Sequence, residues 1–253
     1  MIKIENTEVV GWEAAIRGMR NPMNSWKRSD SYENYSVEYE KDEMTGEVTA
    51  EIRYPYYRVG ASDISLMERL AEAGAVHRKF MRMIVVYVDV TAPLYWWKEA
   101  DTYKVGTVAN SCSTMHKIAD REFTRADFSH DHLIGNRELC NSNGIIAGPR
   151  ADDSPVDILD IVIDALNVYR NKYLVALKTE SETGFSAKDI WWQMIQLLPS
   201  SYNQRRTLML NYEVLANIYE YRKNHKLDEW RTFCDWIESL PYSELITGKN
   251  EEP

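Results

Sequence analysis

The chain has 253 residues, of which 44% are apolar and 27% charged, a composition that supports a packed core and excludes a disordered chain. A formal net charge of -9 argues against non-specific binding to nucleic acid or to an anionic membrane, and leaves room for a local arginine pocket around one phosphate. No apolar run reaches the roughly 20 residues that span a bilayer, and the start MIKIENTEVVGWE lacks both the basic end and the apolar stretch of a signal peptide. Three cysteines, Cys112, Cys140 and Cys234, form neither a disulfide framework nor a zinc motif. A cytoplasmic protein is expected.

The first predicted helix runs from Thr7, read as an N-cap, to about Arg20, and the polar stretch NPMNSWKRSDS reads as loop. Residues 35–58 alternate around Thr45-Gly46 as a hairpin, with Val37 and Tyr39 on one arm and Ile52 and Tyr54 on the other. Ser62 is placed to cap the helix SDISLMERLAEAGA, and Gly74 to end it. Phe80–Val90 is β-branched and nearly continuous, hence a buried strand. Ala92-Pro93 breaks it, and LYWWKEADTYK follows as a helix with Pro93 in its first turn.

From Ala119 to Ser154 the sequence is rich in Gly, Asn, Asp and Pro and predicts an irregular insertion. The last third reads as helical in three segments: Pro155–Leu177, Ser186–Leu198, and Tyr202 to Leu240 with a break near Lys223–His225. There is no repeat, low-complexity tract or clear linker, so the whole of 1–253 is expected to form a single α+β domain, a central sheet flanked by long helices.

Arg205, Asn211, Arg222 and Arg231 punctuate the apolar pattern of LPSSYNQRRTLMLNYEVLANIYEYRKNHKLDEWR. A guanidinium can clamp a phosphate through two parallel hydrogen bonds, whereas arginines on helices also serve as plain solvated ion pairs. This segment resembles the C-terminal region of flavin-dependent thymidylate synthases, in which a Leu-Pro step, an Arg six residues on, an Asn six further, a Leu-Arg step and an H-A-Q-W-E-I-R-like stretch follow one another. The counterparts here are Leu198-Pro199, Arg205, Asn211, Tyr221-Arg222 and HKLDEWR with His225, Glu229 and Arg231. The order of helix, Gly, strand, Ala-Pro and aromatic-rich helix before residue 102 is also similar to the family's, and its signature R-H-R-x-x-S-x-N-E-x-S-x-R falls on TYKVGTVANSCST, Thr102 to Thr114. There Arg-His-Arg is Thr102-Tyr103-Lys104, Asn-Glu is Ala109-Asn110, the two Ser are Thr107 and Cys112, and the last Arg is Thr114.

The resemblance implies an enzyme that transfers a one-carbon unit from methylenetetrahydrofolate to C5 of dUMP, using FAD reduced by NADPH, with sites built between the subunits of a homotetramer. Arg205, Arg231, Cys112 and Thr114 would contact the pyrimidine nucleotide, with Arg231 and Cys112 catalytic. Thr102, Tyr103, Lys104, Thr107, Asn110, Arg222 and His225 would face the flavin. Two alternatives stay open: hydroxymethyl transfer to another pyrimidine nucleotide, and a non-catalytic nucleotide binder without flavin. Cys112 is either a thiolate nucleophile assisted by Lys104 or a small wall residue. His130-Asp131-His132 is either a ligand pair without a third partner or solvated loop, and no metal site is expected. Trp96-Trp97 and Trp191-Trp192 read as core or subunit contact, because neighbours on a helix do not share a face.

Overall fold

The computed structural model describes residues 2–42, 44–135, 154–178 and 184–248. Its main sheet has four strands, β1 (Lys3–Val10), β4 (Val85–Pro93), β5 (Val108–Ser111) and β6 (Asn203–Asn211), in the order β1-β4-β6-β5 with every neighbour antiparallel. Strands β2 (Tyr32–Lys41) and β3 (Val48–Arg58) form the expected hairpin as a separate two-stranded ribbon. The helices are α1 (Trp12–Arg20), α2 (Ala61–Glu72), α3 (Leu94–Ala100), α4 (Thr114–Lys117), α5 (Pro155–Ala176), α6 (Ala187–Leu197), α7 (Tyr212–Arg222), α8 (Asp228–Glu238) and α9 (Glu244–Thr247). The chain is thus α+β, a sheet with helices packed on it.

Three element readings are corrected. The segment from Thr7 is not helical: it belongs to β1, and Thr7 instead accepts a hydrogen bond from the Trp236 indole at 3.0 Å. The helix waits for Gly11, whose φ of 94° and whose approach to the Met83 carbonyl, 2.1 Å from where a Cβ would stand, exclude any other residue. Phe80 to Met83 lie in a 3-10 turn rather than a strand, so β4 starts at Val85. The run from Tyr202 does not start as helix either: Asn203–Asn211 is β6, and Asn211 then caps α7 by accepting from the Val214 amide at 3.0 Å.

Elsewhere local chemistry sets the boundaries. Ser154 with Asp157, and Ser186 with Asp189, form capping boxes that open α5 and α6. Ser62 is not the cap of α2: the Asp30 carboxylate, reaching in from the preceding loop, accepts from the Ser62 and Asp63 amides at 2.9 and 3.1 Å. Beside it, buried Asp63 pairs with buried Arg20 at 2.6 Å and also accepts from Ser29 and Ser31. Of the 119–154 stretch, residues 119–135 carry one 3-10 turn at Arg125–Asp127, and 136–153, with Cys140, lie outside the described residues.

The core lies on one face of the sheet. Val86, Val88, Val90 and Ala92 of β4 and Leu208 and Leu210 of β6 point into it, against Trp96, Trp97, Trp230 and Phe233. Fully burying each large apolar side chain contributes roughly 1.5–3 kcal/mol. A second cluster, with Ile118, Phe123, Phe128, Leu166 and Met194, joins α5 and α6 to the 118–128 segment. No described helix is long and apolar enough to cross a membrane.

Candidate functional site

Strand alternation sends every second residue of β4 and β6 away from the core. In β6 these are Arg205, Thr207 and Met209; in β4, Tyr87, Asp89 and Thr91. Asn110 of β5 stands opposite Thr207 and shares its face. Polar groups gather here. Arg205 donates to Asp89 at 2.7 Å and lies 4.0 Å from Glu5, with its side chain 46% exposed. Asp89 also accepts from Thr207 at 2.6 Å and from Asn6 at 2.8 Å. Those two bonds, and then the one from Arg205, hold its carboxyl well below the ordinary carboxylate range. Arg205 therefore stays charged and oriented, with one edge on Asp89 and the rest of its donor fork available.

The rewritten signature meets this face at its end. The Cys112 amide donates to the Arg205 carbonyl at 2.9 Å, and the Cys112 thiol is free and exposed. Gln204 fixes the segment beyond β5 by donating to the Cys112 carbonyl at 3.0 Å and to Thr114 Oγ1 at 3.1 Å. Arg205 is thus brought together with Cys112 and Asn110, almost a hundred residues away in sequence, while Thr114 is held by Gln204, which leaves β6 on the opposite side from Arg205.

The other signature residues fall on the covered side. Tyr103, Lys104 and Thr107 line a cavity of about 330 Å³, with Trp96, Trp97 and Trp230 among its walls. Gly106, at φ 75°, makes the turn that carries them, and a Cβ there would meet the Asn211 amide nitrogen at 2.4 Å. Thr102 lies outside, its hydroxyl donating to the Glu99 carbonyl at 2.7 Å.

Arg222 is enclosed near this cavity. It donates to Glu99 at 2.8 Å and to the Tyr103 hydroxyl at 2.9 Å, and its guanidinium lies 4.8 Å from the Trp230 ring centre. The same Glu99 oxygen accepts from the Trp230 indole at 2.9 Å and lies 3.5 Å from His225. Arg231 is on the far side of this turn: it donates to the His225 carbonyl at 2.9 Å and to the Asp228 carboxylate. His132 lies 3.1 Å from that same Asp228, and His130 is 2.8 Å from the Phe128 carbonyl. The structure therefore brings together Arg205, Cys112 and Asn110 on the open face, and Tyr103, Lys104 and Thr107 with Arg222 and His225 on the covered side, and leaves Thr102 on the Glu99 carbonyl, Thr114 on Gln204 and Arg231 on Asp228 apart from both.

Sequence reasoning overlooked Asp89, Thr207 and Gln204, and read Trp96 as core or subunit contact. Asp89 had a signal: Tyr87, Asp89 and Thr91 alternate with valines, the pattern of a strand with one open face. For Trp96 the decisive feature is tertiary. Its indole nitrogen is buried without a partner among the described residues, as is Thr107 Oγ1, and an unpaired buried group of this kind costs ~1–3 kcal/mol.

This antiparallel sheet, covered by helices on one face and polar on the other, is a fold that solved structures of pyrimidine-nucleotide enzymes share. The chain is similar to thymidylate synthase X from Helicobacter pylori, crystallised with FAD and dUMP, with a TM-score of 0.59 and 13% identity over 98% of this chain and 97% of that one. A second structure of flavin-dependent thymidylate synthase from Helicobacter pylori, complexed with FAD and dUMP, gives a TM-score of 0.57 at 13% identity, covering 97% of each chain. The UMP/dUMP methylase PolB from Streptomyces cacaoi, bound with 5-Br dUMP, gives 0.51 at 13% identity, over 94% and 89%. At this identity the likeness establishes the fold. No protein-family model matches the sequence, and no curated protein matches it.

Proposed function

We propose that the chain is an enzyme acting on a pyrimidine nucleotide of the dUMP kind, transferring a one-carbon unit to C5 of the ring. The observation that carries this reading is the meeting of Arg205 with Cys112 and Asn110 on the open face, in a fold whose solved examples bind dUMP or 5-Br dUMP. Arg205, oriented by Asp89, would take the phosphate through its remaining donors. Asn110 would offer a hydrogen bond to a ring carbonyl, and Cys112 is the nucleophilic side chain on the same side.

The resemblance also implies FAD, reduced by NADPH, and methylenetetrahydrofolate as the one-carbon donor. One chain by itself does not fit the dinucleotide: Thr102 and Thr107 are neutral, Arg222 is closed on Glu99 and Tyr103, and the 330 Å³ cavity is at the small end of ligand sites. Lys104 is the cavity-lining cation with no ion pair among the described residues. In our reading, neighbouring copies in a homotetramer would supply the missing donors, and no step is derived through the flavin. The enclosure of Arg222 also supports a second reading, a nucleotide binder that has given up the flavin.

Incubation with methylenetetrahydrofolate, FAD and either dUMP or dCMP, with and without NADPH, tests the proposal. The expected outcome is a methylated dUMP product that requires NADPH. Hydroxymethylated product without NADPH would select the other transfer. Tight dUMP binding with no product and no flavin uptake would select the binder.

A further inference from the structure

Helix α5 presents two apolar faces, where a surface helix of a globular protein normally has one. Leu159, Ile163 and Leu166 are buried in the cluster shared with α6 and the 118–128 segment. Nearly opposite them, Ile158, Ile161, Ala165, Val168, Lys172 and Val175 recur at alternating steps of three and four residues, the spacing of a coiled-coil seam. Val168 is 51% and Val175 61% exposed, and Ile158 and Ile161 are exposed as well. The seam runs about 26 Å along the helix. Charge is divided along α5: Asp157, Asp160 and Asp164 lie in its first half, Arg170 and Lys172 in its second, and Lys178 just beyond. Asp157 serves the capping box, Asp160 binds Arg125, and Arg170 donates to the Ala119 carbonyl. Asp164 and Lys172 are exposed and make no ion pair among the described residues. Beside Lys172 a groove of about 390 Å³ opens between α5 and α6, lined by Tyr169, Lys172, Phe185, Asp189, Ile190 and Gln193.

We propose that α5 is a self-association surface that packs antiparallel on α5 of a second copy, about a two-fold axis near Ala165 and Val168. The charge pattern selects both the occupant and the direction. An antiparallel pair sets the acidic half of each copy beside the basic half of the other, whereas a parallel pair stacks like charges. Along the seam Ile158 then meets Val175, Ile161 meets Lys172, and Ala165 meets Val168, each contact made twice by symmetry. The Lys172 stem covers Ile161 of the other copy while its ammonium reaches toward that copy's Asp164. Ile161 thereby comes to the mouth of the groove at Tyr169 and Phe185. The aspartates on the helix and the net charge of -9 disfavour an anionic membrane as the occupant. The pairing needs no nucleotide and stands apart from the reading of the open face.

The test is light scattering on the full chain without ligand, at about 20 µM. The parent should show at least twice the chain mass of 29.5 kDa. Val168→Glu should lower the parent mass to half or less while keeping its circular dichroism, because Val168 lies outside the core of its own copy. Asp164→Lys and Lys172→Asp should each do the same, and the two combined should restore the parent mass. Under mild oxidation, Ala165→Cys should cross-link to itself near the axis. Val175→Cys should cross-link to Ile158→Cys and not to itself, as read by peptide mapping. The proposal is overturned by a monomeric parent, by a parental mass in Val168→Glu, by a double charge reversal that restores nothing, or by Val175→Cys joined to itself.

Discussion

Arg205 and Asp89 face each other across β6 and β4 at 2.7 Å, and Asp89 is the fixed member of the pair. Thr207 and Asn6 donate to it besides Arg205, so its charge is held by three partners while Arg205 spends only part of its donor set. An open-face cation is thereby pointed without being neutralised by contact on every side. The depressed carboxyl has a consequence for stability. A group whose folded pKa lies below its unfolded value stabilises the fold above the unfolded value, near pH 4, and loses that contribution as pH falls further. Asp89→Asn should therefore be less stable than the parent at pH 7, with the gap narrowing below pH about 4. Urea unfolding of both proteins at a series of pH values checks this.

Asp63, in the first turn of α2, sits fully buried against Arg20 of α1 and the loop before β2. Burial pushes its carboxyl up, and hydrogen bonds from Ser31 and Ser29, then Arg20, outweigh this and keep it low. Removing the carboxylate leaves the Arg20 guanidinium, itself 3% exposed, without its partner. Asp63→Ala is expected to cost about 3–5 kcal/mol, read as a shift in the urea midpoint at constant slope.

Two of the cysteines should differ sharply in reactivity. Cys234 is buried, and burial pushes its thiol up to about 12, so it carries almost no thiolate at neutral pH. Cys112 is exposed at the end of β5. Alkylation with iodoacetamide at pH 8, followed by peptide mass mapping, should modify Cys112 in minutes and spare Cys234 unless the protein is unfolded. Saturating dUMP should slow modification of Cys112.

Gly106 holds the turn that carries Tyr103 and Lys104. Gly106→Ala forces a side chain into a left-handed residue and against the Asn211 amide that caps α7. A loss of at least about 1–3 kcal/mol is expected, measured by thermal unfolding.

The hairpin was legible because its turn and its alternation agree over both strands, and α5 and α6 because Ser154 and Ser186 announce their caps. Strand β1 was not, since a bulge between Glu5 and Glu8, with Asn6 at φ 53°, breaks its period-two pattern. Strand β6 was hidden by its composition: only Leu208–Leu210 is a continuous apolar run in NQRRTLMLN, and so short a run fits a helix as well as a strand. The pairing of Arg205 with Cys112 depends on β5 and β6 lying side by side, which no local pattern encodes. The enclosure of Arg222 depends on Glu99 arriving from α3, so a motif could place that arginine in the sequence but not show which way it points.

Under the proposed function, Arg205 holds a pyrimidine nucleotide on the open face. Titration calorimetry with dUMP, comparing the parent with Arg205→Ala and with Arg231→Ala, tests it most directly. Arg231, already closed on the His225 carbonyl and Asp228, shows whether the second arginine of the resemblance also reaches the nucleotide. Arg205→Ala is expected to keep its fold and to lose more than tenfold in dUMP affinity, since a hydrogen bond to a charged group contributes about 1.5–3 kcal/mol. Parent-like dUMP affinity in folded Arg205→Ala would contradict it.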